Sequence, residues 1–107
     1  MTWRVEFLND AVGAELDALP YDMQARFYRI VDLIQSVGAP FVREPHVKSL
    51  GHGIFEMRMS GRDGTSRALY LLATGERVVV LLVFIKKTQK TPAEIIKKAR
   101  ERAKEVR

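Results

Sequence analysis

Residues 54–85, IFEMRMSGRDGTSRALYLLATGERVVVLLVFI, decide the architecture, because three apolar runs are separated there by two short turn-prone breaks. The runs are IFEMRMS (54–60), SRALYLLA (66–73) and RVVVLLVFI (77–85); the breaks, GRDGT and TGE, supply the glycine and aspartate that tight reversals need. In the first run Phe55, Met57 and Met59 alternate with Ile54, Glu56 and Arg58. In the second, Arg67, Leu69 and Leu71 alternate with Ala68, Tyr70 and Leu72. A period of two predicts strands with one face in a core. The third run does not alternate, as expected of a central strand buried on both faces. So short a run also fits a buried helix segment, but its valines and its length favour a strand. Short turns between successive strands imply an antiparallel meander.

Upstream, Trp3, Val5 and Phe7 alternate with Arg4 and Glu6, which predicts a first strand over residues 3–8. Asn9 or Asp10 then caps a helix whose apolar residues Val12, Leu16 and Leu19 share a face before Pro20. A second helix keeps its period through Met23, Phe27, Ile30, Val31, Ile34 and Val37, with Gly38 placed for a left-handed C-terminal cap. The pair is expected to form a hairpin covering the sheet. Residues 39–53, APFVREPHVKSLGHG, show no period and hold two prolines, so a loop is expected, with room for a short turn. After the third run, Thr91, Pro92 and Glu94 have the spacing of a threonine N-cap, a first-turn proline and a capping-box glutamate. The helix they announce has a thin apolar stripe, Ile95, Ile96, Ala99, Ala103 and Val106, amid Lys, Arg and Glu, so it should dock by one edge. The predicted order is β-α-α-β-β-β-α, an α+β fold in one domain spanning 1–107, with a helical hairpin on a mainly antiparallel sheet and a basic C-terminal helix.

The 107 residues contain no cysteine and two histidines, which excludes disulfides and thiolate metal sites and leaves no spaced set for zinc. No metal or other cofactor is expected. The longest apolar run falls far short of the roughly 20 residues that cross a bilayer. MTWRVEFLND has no secretory h-region, so a cytoplasmic location is expected, with no membrane partner. The net charge of +5 is unevenly spread: from Ile85 to Arg107 there are nine Lys/Arg against three Glu, leaving nine against ten acids before it. A C-terminal positive field points to a polyanionic partner, since phosphate contacts release counterions; a basic helix that serves only solubility is the plainer alternative.

Three strings give these features a family likeness: KSLGHGIFEMR (48–58), RALY (67–70) and FIKKTQKTPAEI (84–95). Together with the element order they resemble the RelE/HigB family of bacterial toxin endonucleases, and within it the phage-derived HigB-like branch. The shared pattern is K-x-L-G-x-G-[LIF]-[WF]-E-x-R, then R-x-L-Y, then F-x-K-K-x-Q-K-T-P-x-x-E-I. The resemblance implies a RelE-like fold and the toxin of a toxin–antitoxin pair that enters the ribosomal A site and cuts the mRNA in translation. It further implies a helix-turn-helix antitoxin of the HigA type, with operator DNA reached only through that antitoxin. Cleavage would proceed by 2′-hydroxyl attack on the adjacent phosphate.

Such chemistry needs cations for charge building on phosphate oxygens, a base for the 2′-hydroxyl and an acid for the leaving oxygen. Arg58 and Arg67, on neighbouring strands and both opposite the Phe55 and Met57 face, are candidate phosphate ligands; exposed arginines aiding solubility are the alternative. Lys87 aligns with a family arginine that stabilises the transition state. Lys86 and Lys90 add charge before a helix N-terminus, and Lys48 and Thr88 are further candidate RNA contacts. Glu56 is a candidate base, or else the ion-pair partner of Arg58 or Arg67. His52, and less so His46, are candidates for proton transfer. Tyr70 either stacks on RNA or belongs to the core. Competing functions are a ParE-like inhibitor of DNA gyrase, a non-enzymatic nucleic-acid or ribosome-binding module, and an operon-repressing subunit.

Overall fold

The predicted meander is present and gains one strand. The computed structural model describes residues 3–87 and 89–107. In chain order the elements are β1 (Arg4–Phe7), α1 (Asp10–Asp17), α2 (Tyr21–Val37), a 3-10 turn (Ala39–Phe41), β2 (Val47–Gly51), β3 (Ile54–Gly61), β4 (Gly64–Ala73), β5 (Arg77–Lys86) and α3 (Ala93–Ala103). One five-stranded sheet runs β1-β5-β4-β3-β2, antiparallel except where β1 lies parallel to β5. The fold is α+β as expected, but β2 corrects the loop expected over 39–53. Its alternation is weak because it is an edge strand, with only Val47 fully buried, and its pairing comes from β3. The turn that follows holds His52 at a φ of 55° and Gly53 at 77°.

Asn9 does cap α1, its side-chain oxygen accepting from the Val12 N–H at 3.1 Å. Gly38 ends α2 with the positive φ its position predicted, 95°, but its ψ of 138° is extended rather than that of the expected left-handed cap. Val12 and Leu16 of α1, Leu19 of the connection and Met23, Phe27, Ile30 and Ile34 of α2 pack on Met57, Met59, Ala68, Tyr70, Val78, Val80 and Val83 of the sheet. The opposite face is divided. Its lower half, Ile54, Leu69, Val79, Leu81 and Leu82, is covered by α3 through Ala99, Ile95, Ala103 and Val106. Its upper half carries Glu56, Arg58, Arg67 and Lys86, with Phe84 at the boundary, packed against the cluster that α3 covers.

A bulge in β5 decides which residues occupy that upper half. Leu69 pairs with Leu82 but Tyr70 with Val80, so Leu81 is an inserted residue. Leu81 and Leu82 consequently pack in the same cluster. One extra residue inverts the parity of everything after it. Phe84, opposite Arg67, and Lys86, opposite Thr65, therefore join the arginine face, while Ile85 pairs with Ser66 on the other. Two backbone groups of β5 past Val80, where β1 has ended, are taken by side chains. The Arg102 guanidinium donates to the Leu81 carbonyl at 2.8 Å, and Glu15 accepts from the Val83 N–H at 3.0 Å. Arg102 and Glu15 are themselves paired at 3.3 Å, tying α1, β5 and α3 together.

Candidate nucleic-acid interface

Arg58 and Arg67 are direct partners across β3 and β4. Like charges facing each other across a ladder repel. Glu56, two residues before Arg58 and thus on the same face, lies between them. Its Oε1 is 3.5 Å from Arg67 Nε and 3.7 Å from Arg58 Nε, distances of ion pairing rather than of well-formed hydrogen bonds. Its Oε2 accepts the Thr91 hydroxyl at 2.7 Å. Glu56 is only 2% exposed. Arg67 is further fixed by donating from Nη1 to Thr65 Oγ1 at 2.5 Å and to the Ser66 carbonyl at 3.0 Å. Arg58 also approaches Glu44 Oε2, at 3.7 Å.

Above this triad lies an open cleft lined by Arg58, Thr65, Arg67, Lys86, Lys87 and Gln89. Burial lowers the pKa of Arg67 below the ordinary guanidinium value; Glu56 opposes that and Arg58 adds to it. A guanidinium so perturbed still keeps its proton. Lys86 is also pulled down, first by partial desolvation, then by Arg67, with Arg58 and Lys48 adding repulsion against the attraction of Glu56. Four cations thus act on one another at a site able to take an anion's charge.

A family model described as Phage derived protein Gp49-like matches residues 14–104. This chain belongs to that family. The Gp49-like proteins are a RelE/HigB-type toxin family. Among solved structures, the protein resembles Escherichia coli toxin RelE in the free state, as a variant with two arginines replaced by alanine. The TM-score there is 0.66 at 16% identity, covering 95% of this chain and 98% of the other. It also resembles the archaeal RelE of a RelE–RelB complex from Pyrococcus horikoshii OT3. The TM-score is 0.57 at 25% identity, over 79% of this chain and 96% of that one. No curated protein matches the chain. The fold is that of RelE toxins.

The Gp49-like chain gathers some of the expected residues and separates others. Arg58, Arg67, Lys86 and Lys87 line one cleft. Lys48 faces Glu56 across β2 and β3, and so flanks the same surface. Lys90 is exposed in the same segment as Lys87, and Thr88 lies outside the described residues. Tyr70 is a correction: it is 2% exposed, faces the α2 layer and stacks on Phe55 with centroids 5.6 Å apart. Burial pushes its hydroxyl pKa well up. His52 lies apart too. It lines a groove with Ile54 and the α3 residues Lys97, Arg100, Glu101, Ala103 and Lys104. Ile54 to Arg58 alone is roughly 13 Å of strand. His46 is nearer, its carbonyl accepting from the Arg58 N–H at 2.9 Å.

The capping box is also corrected. α3 starts at Ala93 with Pro92, not Thr91, at the cap position and no side-chain cap, and the Thr91 hydroxyl donates to Glu56. Thr65 escaped notice in the sequence, although its place two residues before Arg67 puts it on the same strand face. Nothing local marks the Thr91–Glu56 contact, which joins residues 35 apart.

Proposed function

We propose that this protein is the toxin of a type II toxin–antitoxin pair and a metal-independent, ribosome-dependent endoribonuclease. It cuts mRNA in the ribosomal A site and stops translation in the cytoplasm. The observation that carries this is the open cationic cleft of Arg58, Arg67, Lys86 and Lys87, set on a fold shared with RelE toxins. In the reaction the 2′-oxygen bonds to phosphorus and the bond to the 5′-oxygen breaks, leaving a 2′,3′-cyclic phosphate and a 5′-hydroxyl. The arginine forks suit the non-bridging oxygens, whose charge grows as phosphorus becomes five-coordinate. Lys86 and Lys87 bring charge from the facing wall. Proton transfer is not assigned to Glu56, whose oxygens face Arg58, Arg67 and Thr91.

The partner that silences the toxin is an antitoxin of the helix-turn-helix, HigA-like kind, through which the pair reaches operator DNA. That a relative was solved as a RelE–RelB complex supports a partner protein of this role.

The test is a bacterial translation reaction, with and without ribosomes, in which new RNA 5′ ends are mapped by primer extension. Cuts should appear on ribosome-bound message. They should fall by about 10²–10³ in rate for Arg67→Ala, the loss of one transition-state donor, and fall also for Lys87→Ala. Intact message with a drop in DNA gyrase activity would transfer the protein to the ParE-like function. Salt-sensitive RNA binding without any cutting would make it a binding module.

A further inference from the structure

We propose that Glu56 is a positioning residue, a buried carboxylate that braces Arg58, Arg67 and Thr91 against one another so that the cleft meets an RNA phosphate already assembled. This rests on the nuclease function above. Three observations carry it. A single carboxylate oxygen lies 3.5 Å from Arg67 Nε and 3.7 Å from Arg58 Nε, ion-pairing with both, and neither buried Nε makes a hydrogen bond of its own among the described residues. Its other oxygen holds Thr91, two residues before the start of α3. And Glu56 is buried beneath a cleft lined by the arginines and lysines, so it meets no substrate itself.

Without that carboxylate, two guanidiniums opposed across the ladder would carry two unscreened charges and splay apart. With it the triad sums to one positive charge, and the repulsion that disorders the pair is removed. A buried ion group of this kind adds little to stability compared with apolar packing, but it imposes geometry. Its cost to RNA is one unit of attraction. Glu56 therefore trades affinity for alignment, and the two effects of removing it should have opposite signs.

The protein's Glu56→Gln variant keeps the shape and an acceptor for Thr91 but loses the charge. It should bind a single-stranded RNA oligonucleotide roughly fivefold more tightly at low salt, with a steeper salt dependence. At saturating ribosomes it should cut message about 10–100-fold more slowly, the scale of an ångström-level misplacement. Glu56→Asp restores the charge and should return the RNA affinity to that of the wild type. Thr91→Val removes only the link between residue 91 and Glu56. It should stay folded, melting somewhat below the wild type because Glu56 Oε2 loses its donor, and still cut several-fold more slowly at a temperature where both are folded, which keeps the test decisive if Glu56→Gln fails to fold. Cutting at the wild-type rate by either Glu56→Gln or Thr91→Val overturns the proposal. So does a Glu56→Gln protein that loses cutting with RNA affinity unchanged, the signature of a lost base. Wild-type protein that leaves ribosome-bound message intact overturns the nuclease function itself, and this inference with it.

Discussion

Replacing Arg102 with alanine should destabilise the fold by about 2 kcal/mol. Arg102 donates to the Leu81 carbonyl at the bulge of β5 and pairs with Glu15, which in turn accepts from the Val83 N–H. Leu81 is fully buried, so truncation leaves a carbonyl that water reaches poorly, at a cost of about 1–3 kcal/mol. The lost ion pair adds less, because the Arg102 and Glu15 side chains remain 17% and 26% exposed. A total of about 2 kcal/mol corresponds to a fall in Tm of roughly 8–16 °C for a domain of this size. Arg102→Lys should recover part of it, since one ammonium cannot reproduce the fork that meets carbonyl and carboxylate together. Glu15→Gln should cost less than Arg102→Ala, because an amide oxygen still accepts from Val83. The assay is urea unfolding followed by fluorescence and far-UV circular dichroism, with Tm by calorimetry. An Arg102→Ala protein melting within 2 °C of the wild type would refute the role given to this pair in holding the bulge.

The remaining predictions concern the cleft and its supports. Tyr70→Phe should leave RNA binding and cutting unchanged, whereas Tyr70→Ala should lose about 3–5 kcal/mol in denaturant unfolding by emptying the core; a selective loss of RNA affinity in Tyr70→Phe would return the tyrosine to the interface. An alanine Cβ at Gly61 would stand 2.7 Å from Asp22 Oδ1, and Asp22 accepts from the Arg62 N–H at 2.6 Å. Gly61→Ala should thus cost about 1 kcal/mol, the worth of that bond, and nearly nothing in an Asp22→Ala background, which a double-mutant cycle would measure. Because Lys86 sits below its ordinary pKa of 10.5, the unfolded chain binds its proton more readily than the folded one. Its contribution should therefore destabilise the fold when charged and be relieved as pH rises through the folded pKa towards 10.5. Comparing unfolding of wild type and Lys86→Met at pH 7 and pH 10 checks this: the variant should gain at pH 7, and that gain should shrink at the higher pH.

The faces of β3 and β4 were legible because their side chains alternate with the pleat, and the short GRDGT turn alone set Arg58 opposite Arg67. Resemblance in three motifs supplied the family, which the match over residues 14–104 then established. β2 was not legible, since an edge strand needs few apolar residues and takes its pairing from a neighbour. The bulge at Leu81 was hidden for a related reason. In VVVLLV every residue is apolar, so an inserted leucine leaves no break in the pattern, yet it decides that Lys86 and Phe84 face the arginines.

By itself, then, the sequence determined the elements other than β2, the buried faces of β3 and β4 and the concentration of positive charge towards the C-terminus, because each of these follows from residue type and near-neighbour spacing. Tertiary structure decided how the charges combine. It drew Thr91 from a helix cap to Glu56, put Tyr70 into the core, set His52 apart from the arginines and secured the bulge with Arg102 and Glu15. These contacts join residues far apart in the chain, and what settles them is competition for burial and for partners, a quantity no local pattern encodes.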